Sequence, residues 1–228
     1  VVDLNRAIDD CDGSTVTGGP ATDRPRGVVW RLTSAGIPAL RKRLSSEELL
    51  RRRTKFYQPY HDTLKAILER KRARFGFAVL LCAHSMPSPH RTTRTRSGLP
   101  ARGARSYGVA DLVPGSRGRT SAASEWIDLV QRIGEAHGLE VQHDTPYRGG
   151  FSTSHYGQPD KDWHAVQIEL ARRLYMNEEN FQRKKEHFEN TQRFADKLVS
   201  AMVAAARQQC ESAPLSTPNH VRASSSPS

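Results

Sequence analysis

The sequence predicts an α/β domain, a mixed and mainly parallel sheet flanked by helices, with a long C-terminal helix. Three features of the chain point there. Residues 77–83 form an unbroken apolar run, the pattern of a strand covered on both faces of a parallel sheet. In the segment 163–170, Val166, Ile168 and Leu170 share one face while Gln167 and Glu169 share the other, the two-residue period of a strand. Around these strands apolar residues recur at helical spacing, most extensively over 177–209.

Taken in order, Val1-Val2-Asp3-Leu4 reads as a strand already under way. Residues 9–27 are rich in Asp, Gly, Thr and Pro, where turn chemistry outcompetes helix and sheet, so a loop is expected. Ser45-Ser46-Glu47-Glu48 is a capping box, in which the Ser45 hydroxyl accepts from the Glu48 amide and starts a helix. Pro59 lacks an amide donor and crowds the preceding turn, which predicts a kink or break, with residues 60–74 as the second half and Gly76 as its end. Tyr60, Leu64, Ile67 and Leu68 are the stripe expected to pack on the sheet, with His61 as a packing residue.

After the strand and His84-Ser85 comes an arginine-rich stretch without periodicity, 87–107, expected to be a mobile flap. Trp126, Ile127, Val130 and Ile133 mark an amphipathic helix closed by Gly138, followed by a short strand at Leu139-Glu140-Val141. A turn-rich stretch, 145–162, leads into the second strand. Phe181, Phe188, Phe194, Leu198 and Met202 repeat along one side of the terminal helix, and the Ser- and Pro-rich segment 210–228 reads as a disordered tail. The 228 residues therefore suit a single domain over 1–209 plus that tail.

Composition narrows the partners. A net charge of +11, from 35 Lys and Arg against 24 Asp and Glu, favours an anionic partner, either nucleic acid or a carboxylate substrate. The basic runs lack interleaved aromatics for base stacking, so solvated charge is the better account of them and nucleic acid the weaker candidate. Cys11, Cys82 and Cys210 are too few for a disulfide framework and suit a reducing compartment, which makes the cytoplasm the expected location. No apolar run reaches the roughly 18 residues of a membrane span, and no secretory signal opens the chain.

Open α/β sheets place ligands at strand ends, and three short features lie there: Asp3-Leu4-Asn5-Arg6, His84-Ser85 and Gln167-Ile168-Glu169-Leu170. Together they hold parts of a zinc hydrolase, namely an imidazole ligand, a carboxylate to take a proton from water, and a cation for the substrate's charge. His84 is the candidate zinc ligand and Glu169 the candidate general base. Arg6 with Asn5 is the candidate grip for a substrate carboxylate, through a forked, charge-assisted contact. Arg148, next to Gly149 and Gly150, is a second candidate for a carboxylate or oxyanion. Tyr156 and His155 lie on the same turn-rich segment, with Tyr156 a candidate to close over substrate. His164 has the parity of Val166 and so faces away from Glu169. Catalytic zinc normally takes three protein ligands, and no His-x-x-Glu or His-x-x-x-His pair accompanies His84.

Seven blocks, in order, resemble the N-formylglutamate amidohydrolase family from Val1 to about Glu179: Val2-Asp3-Leu4-Asn5-Arg6, Tyr57-Gln58-Pro59-Tyr60-His61, Ala83-His84-Ser85-Met86, Ala110-Asp111-Leu112-Val113, Pro146-Tyr147-Arg148-Gly149-Gly150-Phe151, His155-Tyr156-Gly157, and His164-Ala165-Val166-Gln167-Ile168-Glu169-Leu170. That family is similar to zinc carboxypeptidases. The resemblance implies a carboxypeptidase-like (phosphorylase/hydrolase-like) fold, zinc as cofactor, and a small N-acyl amino acid, N-formylglutamate, cleaved to formate and glutamate. It implies that Asn5 and Arg6 bind the substrate carboxylate, that His84 is the last zinc ligand and that Glu169 is the base or proton shuttle. It also implies that the remaining ligands belong to a Pro-His-x-Gly element upstream of Val1. Two blocks depart from the family pattern: Asp144-Thr145 stands where Asn usually precedes Pro-Tyr-x-Gly-Gly, and Pro114-Gly115-Ser116-Arg117-Gly118-Arg119 replaces a Gly-x-x-x-Gly segment. A relative that has lost catalysis, or a basic nucleic-acid-binding protein, is the alternative.

Overall fold

The computed structural model describes residues 2, 4–6, 28–30, 37–42, 44–88 and 110–212. The first helix, α1 (Ser46–Arg52), starts as its capping box requires, with the Ser45 side chain accepting from the Glu48 amide. The chain stays helical through a π turn at Arg53–Tyr57 into α2 (Gln58–Phe75). Pro59 falls where the π turn passes into α2, inside one continuous helical run, and the wide turn takes up the missing amide donor that the sequence predicts as a kink or break. Gly76, at φ 83°, ends α2 in the left-handed region.

The buried side of α2 differs from the expected stripe. His61 and Leu68, with Tyr57 of the π turn, are buried, whereas Tyr60 and Ile67 are exposed. His61 can occupy the inner face because it finds polar partners there, as described below.

β1 (Ala78–Met86) runs through His84 and Ser85 and pairs in parallel with β3 (Trp163–Ala171), from Ala78 opposite Trp163 to Met86 opposite Ala171. β2 (Leu112–Gly115) pairs antiparallel with the other side of β3. The sheet is mixed, as expected, and β3 is its centre. β2 itself is not predicted, since Pro and Gly are poor strand residues and only pairing with β3 holds Pro114 and Gly115 there. Because β1 has one strand neighbour among the described residues, its middle is half-buried rather than covered on both faces.

α3 (Ser124–Ala136) ends at His137, with Gly138 at φ 72°. The strand expected at 139–141 reduces to one bridge between Val141 and Leu112. Within the turn-rich stretch lies a short helix, α4 (Phe151–Tyr156), that its Ser and Thr content hides. The terminal helix α5 (Lys185–Ser212) begins later than the expected Asn177: Phe181 is exposed, at φ 59°, outside it, and Phe194, Leu198 and Met202 face the core.

One sheet face, with Leu112, Val166 and Ile168, packs on Trp126, Ile127 and Val130 of α3 and on Phe194, Leu198 and Met202 of α5. At about 1.5–3 kcal/mol for each fully buried large apolar side chain, this is the main adhesive of the fold. The opposite face carries two smaller clusters, Ala78, Leu80 and Trp163 against Leu64, Leu68 and Tyr156, and Met86 and Ala171 against Ala110 and Val113. By alternation, the polar His84, Gln167 and Glu169 lie on this same face, between the two clusters.

The opening strand is not seen at its described residues, Val2 and Leu4; Leu4-Asn5-Arg6 is a turn instead. The expected loop at 9–27, the flap from residue 89 to 107 and the tail beyond Ser212 lie outside the described residues. Cys82 and Cys210 are free thiols, and no helix among the described residues is long and apolar enough to cross a membrane.

Candidate active site

His84 and Glu169 are register partners on adjacent parallel strands, so their side chains project side by side, with Nδ1 of His84 3.9 Å from Oε1 of Glu169. Two residues earlier on each strand, Cys82 stands opposite Gln167. Nε2 of Gln167 donates to Oε1 of Glu169 at 2.9 Å, while Oε1 of Gln167 accepts from the Gly150 amide at 3.0 Å and from Nδ2 of Asn5 at 3.3 Å. Asn5 in turn accepts from the Ser152 amide through Oδ1 at 2.8 Å, and from the Phe151 amide through its carbonyl at 3.2 Å. The first turn of α4, the Asn5 turn and the Glu169 carboxylate are therefore one hydrogen-bonded unit.

Burial pushes the Glu169 carboxyl up to about 7, against the opposing pull of the Arg172 charge and the Gln167 hydrogen bond. A carboxyl poised there can both accept and return a proton near neutral pH. Burial also pushes the Cys82 thiol up to about 11, so it stays protonated and inert on this face.

The turn at residues 4–6 is held by two buried rings. Oη of Tyr57 donates to the Arg6 carbonyl at 2.6 Å, and Nε2 of His61 lies 2.9 Å from the Leu4 carbonyl. A carbonyl only accepts, so Nε2 carries the proton; burial keeps the ring neutral, and Nδ1 accepts from the Tyr156 hydroxyl at 2.9 Å. Tyr156, 2% exposed, thus reaches the site through His61 and Leu4, its own ring sealed in the core. It stands away from an open position over substrate, because burial in the second cluster is what lets its hydroxyl orient His61.

The loop before α4 is seated on the sheet at Gly115, where a Cβ would stand 2.7 Å from the Gly149 amide nitrogen. Asp144 secures the same loop: its carboxylate accepts from the Ser116 amide at 2.7 Å, the Gly118 amide at 2.8 Å and the Ser116 hydroxyl at 3.3 Å. These acceptances give the departure at 144 a physical sense, since a carboxylate offers only acceptors to the turn after β2. Arg148 is exposed, with its guanidinium beside Gly118 rather than beside Glu169.

Of the residues singled out in the sequence, the fold brings together Glu169, His84 and, through Gln167, Asn5. Arg6 joins by its carbonyl, while Arg148 lies at the exposed edge and Tyr156 in the core behind the site. Gln167, Tyr57 and Arg172 went without a role in the sequence reading. Arg172 follows β3 directly, bears electrostatically on Glu169, and donates through Nε to the Ser85 hydroxyl at 3.4 Å; a basic residue immediately after a strand end was the available signal. For zinc, His84 is the right kind of donor, a 35% exposed imidazole beside a carboxylate. Among the described residues no three His, Cys, Asp or Glu side chains converge, so these residues do not complete a ligand set.

The model of the family described as N-formylglutamate amidohydrolase matches residues 1–176. The chain belongs to the N-formylglutamate amidohydrolase family. It is 33% identical over 208 residues to the N-formylglutamate deformylase of Pseudomonas putida, a match spanning 90% of this chain and 71% of that one. Against the N-formylglutamate deformylase of Pseudomonas aeruginosa it is 32% identical over 213 residues, 92% of this chain and 73% of the other. The crystal structure of N-formylglutamate amidohydrolase from Ralstonia eutropha aligns with a TM-score of 0.74 and 30% identity, over 93% of this chain and 75% of that one. Family membership and the α/β fold expected from the sequence are both borne out by these matches.

Proposed function

We propose that this amidohydrolase-family chain hydrolyses the formyl amide of N-formyl-L-glutamate, with Glu169 as general base. The observation that carries the reading is Glu169 itself: a buried carboxylate with its proton affinity raised to about 7, beside an imidazole at a strand end, in a chain similar to two N-formylglutamate deformylases. Oε1 is held by Gln167, and no protein hydrogen bond reaches Oε2 among the described residues. Oε2 is the oxygen that takes the proton of the attacking water. As the water oxygen bonds to the formyl carbon and the C–N bond breaks, Glu169 returns the proton to the leaving amine, giving formate and glutamate.

His84 supplies one ligand of a zinc ion in this reading. Zinc, when bound, polarises the formyl carbonyl and lowers the pKa of water. Arg6 carries the charge contact to the substrate carboxylate, since the Asn5 side chain bonds to Gln167 and Ser152; Asn5 shapes the turn that presents it. Arg148, at the edge of the loop, is a second cation for an incoming anion.

The test is formate release from N-formyl-L-glutamate, measured beside bound zinc, for the parent chain and for Glu169→Gln. The variant is expected to lose at least about 100-fold in kcat, the scale of general-base catalysis. Hydrolysis by Glu169→Gln at the parent rate would remove Glu169 from the mechanism.

A further inference from the structure

Gln167 sits on the central strand, 3% exposed, and its carboxamide spans two parts of the site. Its orientation is unambiguous. The Gly150 amide can only donate, so the Gln167 oxygen faces Gly150 and Asn5, and its nitrogen faces Glu169. We propose that Gln167 is a positioning residue that fixes the plane of the Glu169 carboxylate for proton transfer and joins it to the Asn5–Ser152 end of the site. This rests on Glu169 being the base.

The geometry asks for this side chain. Held at Oε1 by Gln167, the carboxylate keeps Oε2 free of protein hydrogen bonds among the described residues. The position needs a donor towards Glu169 and an acceptor towards Gly150 and Asn5. Ionised Glu lacks the donor, Met has no donor and only a weak acceptor, and Asn is one methylene short of the span. β1 and β2 grip β3 from both sides, so the Gln167 backbone cannot shift to compensate for a lost contact. Gln167 is also the one side chain, among the described residues, that links Glu169 to the first turn of α4.

The experiment measures kcat and KM for N-formyl-L-glutamate, with thermal melts, for the parent, Gln167→Met, Gln167→Glu and Glu169→Gln. Gln167→Glu is expected to lose about 10- to 100-fold in kcat with KM within about threefold of the parent, because misplacing a reacting group costs rate rather than affinity, whereas Gln167→Met, which also releases Gly150 and Asn5, is expected to lose the same in kcat and to raise KM as well. Gln167→Glu retains an acceptor for Gly150 and Asn5, so it reads the donor to Glu169 even if Gln167→Met melts early. A residue that only anchored the loop would raise KM and leave kcat alone; that result, or a parent-like kcat in a folded Gln167 variant, overturns the proposal. If Glu169→Gln is inactive while the Gln167 variants match the parent, the positioning role alone falls. If the parent does not hydrolyse N-formyl-L-glutamate, the proposed function falls; if Glu169→Gln is as fast as an active parent, the base assignment falls; this role falls with either.

Discussion

Replacing Glu169 by Gln is expected to stabilise the metal-free fold, and to do so increasingly as pH rises. Burial moves the carboxyl from an ordinary 4.5 to about 7, and its side chain is only 7% exposed, so solvent does little to screen the effect. Below 4.5 both folded and unfolded chains hold the proton, and burying the neutral acid carries no charge penalty. Between 4.5 and 7 the folded protein keeps a proton that the unfolded chain releases, so stability falls as pH rises through that window. Above 7 the charge is buried in full, which at 1.36 kcal/mol per pH unit destabilises the fold by about 3 kcal/mol. Gln at this position still accepts from Gln167 but has no charge to bury. Urea unfolding of chelator-treated parent and variant should therefore show a gain of about 1 kcal/mol at pH 5 and about 3 kcal/mol at pH 8. An equal difference at the two pH values, or a less stable variant at pH 8, would refute the assignment of a raised carboxyl.

Tyr156→Phe removes the hydroxyl that orients His61 and is expected to cost about 1 kcal/mol in a thermal or urea melt while changing KM little; a large rise in KM with an unchanged melt would make Tyr156 a substrate contact after all. Gly115→Ala puts a methyl group 2.7 Å from the Gly149 nitrogen, backbone that cannot swing aside, and is expected to destabilise by about 1–3 kcal/mol and to raise KM as the loop lifts. An unchanged melting temperature would show that the loop is not seated on β2.

How much was legible in the chain follows the range of the forces. The capping box at Ser45, the end of α2 at Gly76, helix α3 and the alternation along β3 all depend on neighbours within a few residues, and each stands where its residues indicate. Glu169 and His84 were recognisable as polar groups at strand ends for the same reason. Elements whose stability comes from elsewhere were not. β2 exists because β3 pairs with Pro114 and Gly115, and α4 because Asn5 caps a turn that its own composition does not announce. The burial of His61 on α2 likewise follows from a hydroxyl on α4 rather than from hydropathy.

The site divides in the same way. Residue types and their local pattern established a strand carrying a carboxylate, a second strand leading into an imidazole, and an Asn-Arg pair near the start of the chain. That the two strands are parallel neighbours in one register, putting His84 3.9 Å from Glu169, is a property of the assembled sheet. So is the path from Glu169 through Gln167 to Asn5, partners 162 residues apart in sequence. Hydrogen bonds of this reach depend on where packing leaves each donor and acceptor, and burial, which raises Glu169 to about 7, exists only once the sheet has closed around it.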